Sequence, residues 1–171
     1  SLGLVGSEMC IRDRDKGMRV LAAEEDGGHA LAQALVAAQL PVVYAEKPPA
    51  EIETVADRQA RSLPTVGVTA AAMTPELRAK VRELFVTYAQ RRHPVLAKAD
   101  IAAFDAAPAD QIRFAWAGPV QANQPYYYRL QTPAVLIECN NTQNNGNHVH
   151  SVWRAITQDF GNSLLSATPA P

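Results

Sequence analysis

The chain has little cysteine, no excess of charge of either sign and no long apolar run. Its two cysteines are too few for a disulfide framework. The 16 Lys and Arg against 17 Asp and Glu leave a net charge of −1. No basic stripe with interleaved aromatic residues occurs, which argues against a nucleic-acid-binding surface. No apolar stretch approaches the roughly 20 residues of a membrane-spanning helix. What is present is an apolar fraction of 47% with 19% charged residues. That is the composition of a globular chain able to bury one sizeable core.

The beginning of the chain reads differently from the rest. Residues 4–13, Leu-Val-Gly-Ser-Glu-Met-Cys-Ile-Arg-Asp, match the translation of a transposase adapter used in sequencing libraries. Residues 1–14 are therefore expected to be non-native, and the chain a metagenomic gene fragment. Residues 15–165 are expected to form the C-terminal part of a single domain whose N-terminal half is missing, with 166–171 a disordered tail. Setting Cys10 aside leaves Cys139 without an intramolecular partner. The compartment stays open, because a signal peptide could stand upstream.

The local pattern predicts helices first and strands later. Asp26 is expected to cap a helix over 26–39 that Pro41 ends. Residues 42–44 read as a short strand or link, and 51–73 as a loop. Thr74-Pro75-Glu76 is a strong helix start, followed by Leu77, Val81, Leu84, Phe85 and Tyr88 on one face. Pro94 stops that helix, and a second is expected over 95–106. The period then switches to two. Strands are expected over 112–117, 126–131, 134–140 and 148–154, with a short helix at 159–165. Short connections favour antiparallel neighbours. The expected class is α+β: N-terminal helices packed on a three- to four-stranded antiparallel meander, with a short C-terminal helix.

Residues 138–154 carry the densest chemistry: an acid, several carboxamides and a His-x-His pair. Glu138 shares a strand face with Leu136 and Asn140. His148 and His150, if extended, share a face about 7 Å apart. Two imidazoles so placed can converge on a divalent metal such as zinc, iron or manganese, with Glu138 as third ligand or general base. Metal-free acid–base work by Glu138 and His150 is the alternative. So is a structural role, in which a histidine caps carbonyls and the Asn residues hold a wide loop. Arg129 can pair Glu138 across the hairpin or clamp a substrate carboxylate. Asn141, Gln143, Asn147 and Tyr127 offer contacts to a small polar molecule. His29 and His93, at helix ends, are expected to be solvated. Cys139 faces away from Glu138 and is expected to be a small buried residue rather than a nucleophile.

Three segments, 112–118, 124–131 and 138–154, together resemble the C-terminal half of the bacterial family called domain of unknown function 3500. Residues 21–26 and 73–76 also look familial. The family pattern for the last segment is close to E-Y-D-N-T-Q-N-x-A-N-H-x-H-S-V-W-R-D. This chain departs from it at Cys139, Asn140, Gly146 and Ala155. The resemblance implies a longer protein, with further histidines on the N-terminal side that could complete a site with His148 and His150. It also implies an apolar surface where that missing half packs. The expected function is a metal-dependent, hydrolase-like enzyme in the full-length form. The alternative is a non-catalytic domain for a polar ligand or partner, its Asn/His motif being a hydrogen-bond network.

Overall fold

A computed structural model describes residues 12–13, 18–54, 57, 59–144 and 146–156. The predicted helix at 159–165 and the tail lie outside the described residues, as does most of the 1–14 segment. Two short strands, β1 (Arg12–Asp13) and β2 (Met18–Arg19), pair antiparallel apart from the main sheet.

Three helices precede the long strands. α1 spans Ala22–Ala37, so it starts four positions before the predicted 26. Its N-cap, Leu21, offers no side-chain bond, and Asp26 instead accepts two bonds from Arg19. α2 (Pro75–Ala89) starts as the sequence predicts, with Thr74 Oγ1 accepting from Leu77 N at 3.4 Å. α3 (Pro94–Ala106) follows after a short turn, and the His93 side chain caps it by accepting from Val95 N.

The sheet is larger than a meander and is mixed. Its strands are β3 (Val43–Ala45), β4 (Val68–Thr69), β5 (Arg113–Ala117), β6 (Tyr126–Gln131), β7 (Val135–Gln143) and β8 (His148–Ala155). β5 to β8 form the predicted antiparallel run. The correction lies at the other edge, where β3 runs parallel to one end of β5 and β4 antiparallel to the other. Each is only two or three residues long, below the length at which alternation can be read.

One face of the sheet meets the helices. Phe114, Trp116, Tyr126, Tyr128, Leu130, Ile137 and Cys139 pack there against Leu31, Leu35, Val81, Leu84 and Phe85. Trp116 and Tyr126 stack with ring planes 14° apart, and Tyr126 and Tyr128 with 5°. His29 on α1 is not solvated but sits half-buried, edge-on to Trp116 and Tyr126. Buried hydroxyls need partners. Here Ser151 Oγ donates to Tyr88 OH at 3.0 Å, the Tyr88 and Tyr128 hydroxyls lie 2.7 Å apart, and Tyr128 donates to Glu24 O at 2.9 Å.

Two expected outcomes follow from this core. A Cβ on Gly28 would strike the Tyr128 ring, which its hydroxyl bonds hold in place. Gly28→Ala should therefore lose about 1–2 kcal/mol in urea unfolding, although Ala is the better helix former. Burial also raises the pKa of Tyr88, Tyr126, Tyr127 and Tyr128 and pushes the Cys139 thiol up to about 12. These groups stay protonated in the fold while the unfolded chain ionises, so stability should fall as pH rises above roughly 9–10. Urea midpoints measured from about pH 8 to 11 should decline steadily; a flat profile would contradict this.

Candidate functional site

The other face of the sheet is polar and carries Tyr127, Arg129, Glu138, Asn140, His150 and Arg154, placed there by alternation along β6, β7 and β8. No helix covers it. The chain leaves the edge of β5 at Ala45, crosses this face, and returns to the same edge at Val68. We call the described residues of this crossing segment, 46–54, 57 and 59–66, the strap.

Glu138 holds the strap. It is fully buried, and each carboxylate oxygen accepts twice. Oε2 accepts from Glu53 N at 2.8 Å and from Tyr127 OH at 2.7 Å. Oε1 accepts from Thr54 N at 3.3 Å and from Thr54 Oγ1. A carboxylate has about four lone-pair sites, so all are taken. Arg129 stands directly opposite Glu138 in register yet bonds elsewhere, to Pro64 O at 2.5 Å and Glu53 Oε1 at 3.3 Å. The strap interposes its own backbone and carboxylate and so replaces the expected cross-strand pairing. Arg154 donates to Thr54 O and Asp57 O, both at 2.8 Å. Asn140 and Thr142 donate to Pro49 O and Ala50 O. Gln131 accepts from Leu63 N.

The two histidines come together as the alternation predicts. Their ring centroids are 4.6 Å apart, with planes at 72°. His150 is buried, and His148 is partly exposed. The third member of this group is Glu51, from the strap: His150 Nδ1 lies 2.5 Å from Glu51 Oε1. A carboxylate only accepts, so Nδ1 carries the proton, and in the neutral ring Nε2 is the nitrogen with a free lone pair. Glu51 Oε1 also accepts from Ile52 N at 2.8 Å, and Oε2 from Gln143 Nε2 at 2.7 Å. Among the described residues, no three His, Cys, Asp or Glu side chains form a group able to hold a metal.

The remaining predicted residues are dispersed. Tyr127 is buried beneath the strap on Glu138. Asn141 turns to the helix face, where Nδ2 donates to Glu25 Oε2 at 3.5 Å and Oδ1 accepts from His148 N at 3.2 Å. That contact serves the register shift in the β7–β8 ladder between Asn140 and Gln143. Asn147 buries an oxygen with no partner among the described residues. Gln143 also lines a cleft of about 550 Å³ with Lys47, Pro48, Pro119, Pro125 and Thr142. Glu51, Glu53 and Thr54 were missed from sequence because a loop has no period. Glu25, buried in the first turn of α1, lay in a segment with familial resemblance but no assigned role.

The model of the family described as "Protein of unknown function (DUF3500)" matches residues 4–162. Comparison with curated proteins and with solved structures gives no match.

Replacing the saturated carboxylate tests its role as the strap's anchor. Glu138→Gln turns an amide donor toward Glu53 N, Thr54 N or Tyr127 OH and removes charge-assisted bonds. The expected loss of unfolding free energy is about 2–3 kcal/mol. An unchanged urea midpoint would remove Glu138 from that role.

Proposed function

The chain belongs to the DUF3500 family, and we propose that His148 and His150 supply two ligands of a divalent-metal centre in a hydrolase-like enzyme. The observation that carries this reading is the Glu51–His150–His148 cluster. Metal-binding histidines usually give their other ring N–H to a carboxylate, which fixes the tautomer and the ring. Glu51 stands in that place on Nδ1 of His150, leaving Nε2 for a ligand bond. Two imidazoles bound to one zinc at roughly 2.0–2.1 Å have centroids about 5 Å apart, close to the 4.6 Å here.

In this reading, Glu51 orients His150, and Gln143 holds Glu51 in turn. Asn141 fixes the His148 backbone. The remaining coordination positions are open to water, substrate or groups beyond the described residues. A bound metal would polarise a carbonyl or activate water. Glu138, with four donors on it, serves as an anchor rather than a base. Arg129, with its donors on Pro64 and Glu53, serves likewise.

A second reading has one observation in its favour. Glu51 accepts from Ile52 N and Gln143 as well as from His150, as a purely structural clip would. The histidine motif is then a hydrogen-bond network that seats the strap.

Metal content by mass spectrometry separates the two. The metal reading expects about one zinc, iron or manganese per chain in the purified protein and little in His150→Ala. No metal in either protein after incubation with each ion, with the variant only less stable, would leave the clip.

A further inference from the structure

The first half of the strap, residues 46–54, is held in an unusual way. Active-site lids are among the segments that carry no secondary structure of their own. This one joins no ladder on the face it crosses. Its ties run from side chains of the sheet to its backbone and polar groups: Asn140 to Pro49 O, Thr142 to Ala50 O, Glu138 to Glu53 N and Thr54, and Arg154 to Thr54 O. Water can replace each of these bonds on opening. Of its apolar residues only Ile52 is buried, and Ile52 stands outside the main core cluster. At its N-terminal end the segment continues from β3, on the far edge of β5. It can therefore lift without breaking a rung between β5 and β8.

We propose that residues 46–54 open as a unit and that their closure gates the histidine site by delivering Glu51 to His150. This gating rests on the reading of His148 and His150 as ligands; the opening itself does not. In the closed state Glu51 fixes His150, and Tyr127, Glu138 and Arg154 are covered. In the open state His150 loses its orienting carboxylate, and the polar face is exposed to solvent and ligand. Any ion that binds the closed arrangement more tightly must in turn hold the strap shut.

Native-state hydrogen exchange in urea tests both parts, with zinc ion alone as the probe. Without zinc, the Glu53 and Thr54 amides should exchange at least roughly 100-fold faster than the Tyr128 and Cys139 amides. They should also show a shallower urea dependence, as a sub-global opening does. If the two sets exchange together at the global rate, the strap does not open by itself and the proposal is overturned. With saturating zinc, Glu53 and Thr54 should slow by about tenfold or more, and Glu51→Gln should abolish that slowing. Zinc that binds without slowing these amides would overturn the gating. Failure of zinc to bind at all would instead remove the ligand reading, and the zinc-free exchange would still decide whether the strap opens.

Discussion

The polar side of this fold is organised around one buried carboxylate. Glu138 lies on a central strand, wholly out of water, where an unpaired charge would be very costly. The cation opposite it on β6, Arg129, is not its partner. Four hydrogen bonds satisfy Glu138 instead, and three of them come from Glu53 and Thr54. The position of the strap follows from that need. Where the strap goes, Glu51 goes, and Glu51 in turn sets His150. A structural requirement on β7 thus reaches the candidate site on β8 through a segment with no secondary structure.

The two faces are satisfied by different means, and the tyrosine run on β6 shows the division. Tyr126 and Tyr128 point into the helix layer, where their rings stack and their hydroxyls close on Glu25 and on Tyr88 and Glu24 O. Tyr127 points the other way and closes on Glu138. A one-residue slip of β6 would send each ring to the wrong face. The register is therefore enforced from both sides of the sheet.

Much of this was legible in the sequence, and the limits have physical causes. α2 carries a cap, a proline and a regular apolar stripe, so its start was readable. β5 to β8 alternate cleanly, and the expected meander was there. The start of α1 was misplaced because no side chain caps it, and Asp26 bonds Arg19 instead. β3 and β4 are too short to leave a pattern. At the site, alternation along β8 was enough to bring His148 and His150 together. It could not foresee Glu51, some 99 positions away, since nothing local to the strap encodes which face it crosses. The same blindness paired Glu138 with Arg129, because the competitors for both side chains lie in that segment.

The strap's contacts also constrain the order in which the molecule assembles. Glu138 and Glu53 are 85 positions apart, and Arg154 and Thr54 are 100. None of these partners exists as a binding surface until β6, β7 and β8 have paired, because Tyr127, Glu138 and Arg154 are collected from three separate strands. Contacts of such high separation form late and slow a chain's search. Residues 46–54 are made before β6, β7 and β8, yet they have nothing to bind until the last strand is made. During that interval the segment must stay extended and hydrated, a state for which its proline, glutamate and threonine content is well suited.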